Sequence, residues 1–281
     1  MLTSTSNPSI KRIVRLRSNR ARRKEGCILV DGWRETRRAI EAGMTPRAIY
    51  AVASDADTHP ASAQDDTIDG CECWVREQAS KYIQDVSPDV MQRIGYGNSS
   101  RGAVAEFESV ERPLASLQPS ESSLILVLDE FEKPGNIGAV FRSADAAGIG
   151  GVIICPASTD VFNPNSIRSS LGAIFTVPFA LCDESEARQW LAERQFRILT
   201  MRVESSKPIW EQDFSGPTAI VIGNEARGLQ DRWKLDGSDA GGAIAIPMHG
   251  QVDSLNASVT AAVTLFEAQR QRARISFRKV E

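Results

Sequence analysis

Histidine is nearly missing from this chain of 281 residues: there are two, His59 and His249. That leaves no Cys–His pair from which to build a nucleophile, and no His-rich metal site. The five cysteines, Cys27, Cys71, Cys73, Cys155 and Cys182, are odd in number, and only Cys71 and Cys73 are close. A C-x-C with no nearby His lacks zinc spacing, and Cys155, after the apolar run GVII, reads as core filler. No metal is therefore expected. Neither a secretory signal nor a run of about 18 apolar residues occurs, so no membrane is expected and a reducing cytoplasm is. There is no Walker loop, and the GIGG of Gly148 to Gly151 lacks the strand-then-helix context of a dinucleotide fingerprint. Acid is also missing at one place. None precedes Glu25, while KRIVRLRSNRARRK, Lys11 to Lys24, carries eight basic residues. Such a block is either a solvated helix face or a phosphate-contacting arm. The net charge of −3 does not by itself point to nucleic acid.

What is present is an ordinary globular composition, 42% hydrophobic and 25% charged, with length for one large domain or two small ones. CILVDGWRETRRAIEAGMTPRAIYAV reads as strand, helix, strand. Trp33, Thr36, Arg37 and Ile40 lie at helical spacing and Gly43 ends the helix. SDADTHPASAQDDTIDG reads as a loop, CECWV as a short strand followed by a helix to about Tyr82, and GAVAEFESV as a closing strand. These elements form a small α/β domain, residues 1–110. ERPLASLQPSESS, residues 111–123, has two prolines and four serines and reads as a linker. From Leu124 onward, short β-branched runs alternate with amphipathic helices. Continuous rather than alternating apolar runs suit strands covered on both faces, as in a parallel sheet. The fold class is α/β.

Ligands of open α/β sheets bind beyond the carboxyl ends of the strands, so the strand exits locate candidate chemistry. After LILVLD comes EFEKPGNIGAVFRSADAAG. Here Asn136 can cap a helix whose stripe is Ile137, Val140, Phe141 and Ala144, and Arg142 follows six residues later, expected on the same loop-facing side. After TAIVIG comes NEARGL, with Gly223 free for a close approach, Glu225 at the exit and Gly228 as a breaker. After AIAIP comes MHGQVDSLNASVTAAVTLFEAQ. There Ser254 or Asp253 is expected to cap a helix, Asn256 lies in its first turn, and Leu255, Val259, Ala262, Val263 and Phe266 form its buried face. Taken singly, each place is a capped helix or a polar turn. Together, three exits each carry Gly and Asn, with one Arg, one Glu and one Ser added.

The order PGNIGAVFRSADAAG, VIGNEARGL, IPMHGQVDSLNASVTAAVTLFE resembles the three motifs of the SpoU (TrmH) family of RNA ribose 2′-O-methyltransferases, of the SPOUT class, over about Leu124 to Arg272. The zone from SNPSIKRIVRL to RGAVAEF resembles the small α/β RNA-binding domain that precedes the catalytic domain in many members. The resemblance implies a methyltransferase domain over residues 124–275 with a C-terminal trefoil knot. It implies S-adenosylmethionine as cofactor and S-adenosylhomocysteine as product, with Gly223, Ile246 and Leu255 against the cofactor and Thr200 and Met248 beside them. It implies a homodimer with the active site at the subunit interface. By motif match, Asn136, Arg142, Glu225, Ser254 and Asn256 form the catalytic set. Arg142 would hold RNA phosphate and ribose and stabilise alkoxide charge, because a guanidinium holds its proton too firmly to be a good base. Ahead of an RNA enzyme, Lys11, Arg12, Arg15, Arg22 and Arg23 of the basic arm are expected to meet phosphates. The substrate expected is ribosomal RNA of the 23S type, with transfer RNA as the alternative. The rival of another class is a catalytically inactive RNA-binding protein of ribosome assembly, whose signature would be loss of Asn136, Arg142 or Asn256. Ala226 stands where many members have Gly. His249 and Asp253 receive no role.

Overall fold

A computed structural model of the chain describes residues 1–53, 66–96, 101–120, 123–156, 159–205, 207–234 and 241–278. The chain forms two compact units: Met1–Glu111 with Asp160–Thr176, and Arg112–Thr159 with Val177–Glu281. The expected linker coincides with one crossing between them. The segment Asp160–Thr176 does not follow the sequence reading, which keeps it among the strands and helices of the second domain. Its helices α7 (Pro164–Ser169) and α8 (Ala173–Thr176) instead pack with the first unit. Arg168 donates to Tyr96 O at 2.8 Å and Arg38 to Leu171 O at 2.9 Å.

In the first unit α1 (Pro8–Arg15), α2 (Asn19–Glu25), β1 (Cys27–Asp31), α3 (Trp33–Glu41), β2 (Pro46–Val52), α4 (Ile68–Gln78), β3 (Ile83–Val86), α5 (Pro88–Ile94) and β4 (Ala103–Glu108) build a four-stranded sheet in the order β1-β4-β2-β3. Two expectations change here. The basic arm is two helices, and Ile10, Ile13 and Leu16 are buried in the core with Leu29, Tyr50 and Met91. CECWV is helical, inside α4. Cys71, Cys73 and Val75 fit an alternating pattern, but Cys71 and Val75 are also one helical turn apart, and both are buried. Thr67 caps this helix by accepting from Gly70 N at 3.1 Å.

One ion pair ties the arm to the sheet. Arg12 donates to both oxygens of Glu106 at 2.7 Å and to Glu25 at 2.6 Å. The Glu106 side chain is 3% exposed and that of Arg12 34%. Glu106→Ala leaves the guanidinium without its main partner, and a loss of about 2–3 kcal/mol in urea unfolding is expected, toward the low side for a pair with one member partly solvated. An unchanged midpoint would refute this.

The second unit holds β5 (Leu124–Asp129), α6 (Pro134–Ala147), β6 (Gly151–Cys155), β7 (Phe179–Leu181), α9 (Glu184–Glu193), β8 (Arg197–Met201), β9 (Thr218–Ile222), β10 (Gly242–Ile244) and α10 (Ala257–Arg278). All six strands are parallel, in the order β10-β8-β9-β5-β6-β7. β5, β6 and β9 are buried along their whole length, as strands covered on both faces must be. Because the strands are parallel, the exits of β5, β9 and β10 open at one edge of the sheet. Helix α10 packs on α6, but its expected buried face is displaced. Ala257, Ala261, Thr264, Leu265 and Ala268 face inward, while Val259, Val263 and Phe266 are 45%, 39% and 51% exposed. Both sets recur at helical spacing, so periodicity alone could not choose between them.

Candidate active site

The site begins where β9 ends. A Cβ on Gly223 would lie 2.4 Å from the carbonyl carbon of Gly228 and 2.6 Å from Leu229 N. Only glycine lets the loop fold back this tightly. Gly228 closes the turn at φ +63°, its amide donating to Asn224 O at 2.9 Å. Asn224 is buried and works in both directions. Its Oδ1 accepts from the amides of Ala226 and Arg227 at 2.9 and 3.1 Å, and its Nδ2 donates to Glu130 O at 2.9 Å. The sequence reading takes Asn224 only as part of a polar Gly-Asn turn. The turn chemistry is local, but the bond to Glu130 spans 94 residues and no local pattern announces it.

That turn aims Glu225 at α6. This helix has no side-chain cap of its own at Lys133. Glu225 supplies acceptors from a distant part of the chain: Glu132 N donates to Oε2 at 3.2 Å, Lys133 N to Oε1 at 3.1 Å, and Asn136 Nδ2 to Oε1 at 3.0 Å. Burial works against the charge on this carboxylate. The hydrogen bonds from Asn136 and from the two amides prevail, and its pKa falls below the usual range for Glu.

Asn136 Oδ1 in turn accepts from Asn256 Nδ2 at 3.2 Å. Asn256 Oδ1 accepts from the amide and hydroxyl of Ser258 at 2.9 and 2.7 Å. Asn256, rather than Ser254 or Asp253, is therefore the cap of α10. Ser254 is exposed and donates to Asp253 Oδ1 at 3.1 Å. Asn136, Glu225 and Asn256 thus meet. Arg142 does not join them. Six residues along a helix of 3.6 per turn put it roughly 120° from Asn136 around the axis. It is exposed and makes no hydrogen bond or ion pair among the described residues.

Beside this cluster lies a cavity of about 330 Å³. Its walls include Gly223, Ile222, Ile246, Met248 and Leu255, and its rim includes Glu225, Arg202 and Ser254. Thr200 stands apart: it is 1% exposed within β8 and does not reach the lining. His249 is exposed in the loop before α10, and His59 lies outside the described residues.

Of the basic residues expected to meet phosphate, Lys11, Arg15 and Arg23 are exposed. Arg12 is committed to Glu106. Arg22 is 3% exposed and donates to Leu16 O, Arg17 O and Asp160. The sequence reading expects both on the RNA face, and both are instead structural: Arg22 is buried and must satisfy its donors inside the fold, and half-buried Arg12 is held by the two oxygens of Glu106. Sequence gives charge but not the direction in which it points.

The model of the SpoU rRNA Methylase family matches residues 123–266, and that of the MRM3-like substrate binding domain matches residues 7–105. The chain is 32% identical over 194 residues to the 23S rRNA (uridine(2479)-2′-O)-methyltransferase of Streptomyces viridochromogenes, covering 66% of this chain and 67% of that protein. It is 34% identical over 197 residues to the 23S rRNA (guanosine-2′-O-)-methyltransferase RlmB of Xylella fastidiosa, covering 68% and 78%. Among solved structures it is similar to the SpoU methyltransferase AviRb of Streptomyces viridochromogenes in complex with AdoMet, with TM-score 0.81 and 28% identity over 95% of this chain and 98% of that one.

Proposed function

The chain belongs to the SpoU rRNA methylase family, and on that premise we propose that it transfers a methyl group from S-adenosylmethionine to a ribose 2′-hydroxyl of large-subunit ribosomal RNA, releasing S-adenosylhomocysteine. One observation carries the reading. Asn136, Glu225 and Asn256, from three separate strand exits, converge beside a cavity walled by Gly223, Ile246, Met248 and Leu255.

The cavity fits the cofactor. Its volume is that of a small-molecule site, its walls are aliphatic where an adenosine face packs, and the close approach at Gly223 brings the backbone to it. The cofactor supplies a methyl already activated on a sulfonium. The chain must then orient a ribose hydroxyl, a poor nucleophile at neutral pH, and stabilise the charge that develops on its oxygen. Arg142, an exposed guanidinium, is suited to hold phosphate and ribose and to offset that charge. Asn136 and Asn256 offer amide donors. Ser254 at the cavity rim offers a hydroxyl.

Unit one is proposed to hold the RNA, with Lys11, Arg15 and Arg23 against phosphates; its match to a substrate-binding domain supports this. A homodimer is proposed through α10. Val259, Val263 and Phe266 recur at i, i+4 and i+7, an apolar stripe that no described residue covers. Arg142, with no hydrogen bond or ion pair among the described residues, suits a site completed by a second subunit. Phe266→Glu is expected to convert the dimer to monomer in sedimentation, and a monomeric native protein would overturn the proposal. The C-terminal knot is proposed too, supported by the packing of α10 on α6 and the tie from Asn256 to Asn136. Five free cysteines suit a reducing cytoplasm.

Two measurements test the function. Calorimetry should detect S-adenosylmethionine binding, and its absence at millimolar ligand would remove the basis of the reading. Mapping 2′-O-methyl sites in total RNA with and without the gene should lose one large-subunit ribosomal signal. Loss of a transfer RNA signal instead would overturn the substrate.

A further inference from the structure

The amides of Asn136 and Asn256 could each point either way, but their surroundings allow one arrangement. At one end stands Glu225, a carboxylate that only accepts. It already takes the amides of Glu132 and Lys133 and the Nδ2 of Asn136. The NH₂ of Asn136 must therefore face Glu225, and its Oδ1 must face away. At the other end stands the first turn of α10, which only donates. The amide of Ser258 requires an acceptor, so Asn256 presents Oδ1 to it. The NH₂ of Asn256 must then point back, where it meets the one oxygen left, Asn136 Oδ1. The two ends agree, and each amide is fixed by a charge or a helix terminus rather than by its neighbour alone. One N–H on each Asn is used in this chain. The second N–H of each has no acceptor among the described residues.

We propose that Glu225 is a positioning residue and carries no proton: it anchors a directional relay, Glu225–Asn136–Asn256, that joins the N-termini of α6 and α10 and presents two spare N–H donors to the ribose oxygen. This rests on the ribose methyltransferase reading. A face made of donors selects an oxygen that accepts, and its hold strengthens as the hydroxyl gives up its proton to solvent and gains alkoxide character ahead of the methyl. The depressed pKa of Glu225 agrees with an anchor. A general base would be most effective near neutral pH, whereas this carboxylate stays ionised through mildly acidic conditions. The linkage has a definite sign. A carboxylate whose folded pKa is lowered contributes stability above its unfolded pKa, and that contribution is lost as pH falls through the folded value.

Glu225→Gln tests the anchor. The neutral amide no longer fixes the orientation of Asn136. If Asn136 turns over, its NH₂ faces that of Asn256, which the α10 cap prevents from turning. We expect kcat to fall roughly ten- to hundredfold, as for loss of one hydrogen bond to a charged group, with cofactor affinity within about threefold. The shape of the pH–rate profile should not change. In ¹⁵N spectra, the side-chain amide signals of Asn136 and Asn256 should both move. Asn256→Asp is the second variant. Aspartate caps α10 as well as asparagine does, but sets a carboxylate against Asn136 Oδ1, so kcat should fall while thermal stability holds. Native activity in Glu225→Gln, or loss of a limb near neutral pH from its pH–rate profile, would overturn the proposal. So would an Asn256 amide signal unmoved by Glu225→Gln. The amide signals need no methyl transfer. An inactive native protein would therefore defeat the functional reading, while the spectra would still decide the relay.

Discussion

Arg142→Ala is expected to lower kcat for methyl transfer by about 10²–10³-fold, the cost of removing one preorganised group that stabilises charge developing in the transition state. Cofactor affinity should stay within about threefold, since Arg142 is not part of the cavity wall. Thermal stability should not move, since the side chain is exposed and makes no bond among the described residues. The three readouts together separate chemistry from folding. Arg142→Lys should restore little, because an ammonium keeps the charge but not the two-pronged geometry that grips phosphate and ribose. Single-turnover transfer of labelled methyl to RNA checks this. Equal activity in the alanine variant would remove Arg142 from the mechanism.

The second large effect is at Gly223. In Gly223→Ala the new methyl must displace backbone, the Gly228 carbonyl carbon at 2.4 Å and Leu229 N at 2.6 Å, and no rotamer change relieves it. Overpacking against backbone costs about 1–3 kcal/mol, so the loop must open. The opened loop carries Asn224 off Glu130 and Glu225 off α6, and it deforms the cavity wall. S-adenosylmethionine affinity is expected to fall roughly ten- to hundredfold, which is the same energy expressed in binding. A control separates this from a general effect of glycine replacement. Gly250 lies in the loop before α10, and a Cβ there meets nothing within 4 Å. Gly250→Ala should therefore leave both affinity and stability nearly unchanged. Titration calorimetry on the two variants decides it, and native affinity in Gly223→Ala would mean that the loop does not form the cofactor wall.

What could be read in the chain beforehand depended on distance along it. The buried parallel strands were legible because each is a continuous apolar run whose neighbours all carry the same signal. Gly223 and Gly228 were legible as turn formers. The stripe Ile137, Val140, Phe141 and Ala144 was legible because α6 has one apolar face only, and all four residues are buried. Helix α10 has apolar or small residues nearly all round, so its inner face was not decided by pattern. The basic arm failed for a related reason. Eight cations announce charge, but Arg12 and Arg22 find carboxylates at Glu106 and Asp160, 94 and 138 residues further on.

The sequence by itself determined the α/β class, the strand exits that carry Asn136, Glu225 and Asn256, and the family to which those motifs belong. These follow from local pattern and from side-chain chemistry, which travel with the residues. The tertiary structure alone decided that Asp160–Thr176 joins the first unit, that Val259, Val263 and Phe266 face outward, and that Arg142 stands apart from the relay. It also decided what Glu225 does. Its partners Asn136 and, through it, Asn256 lie 89 and then 120 residues away in the chain. A carboxylate caps a helix or moves a proton according to which donors surround it, and those donors are set only when the parallel sheet brings its strand exits to one edge.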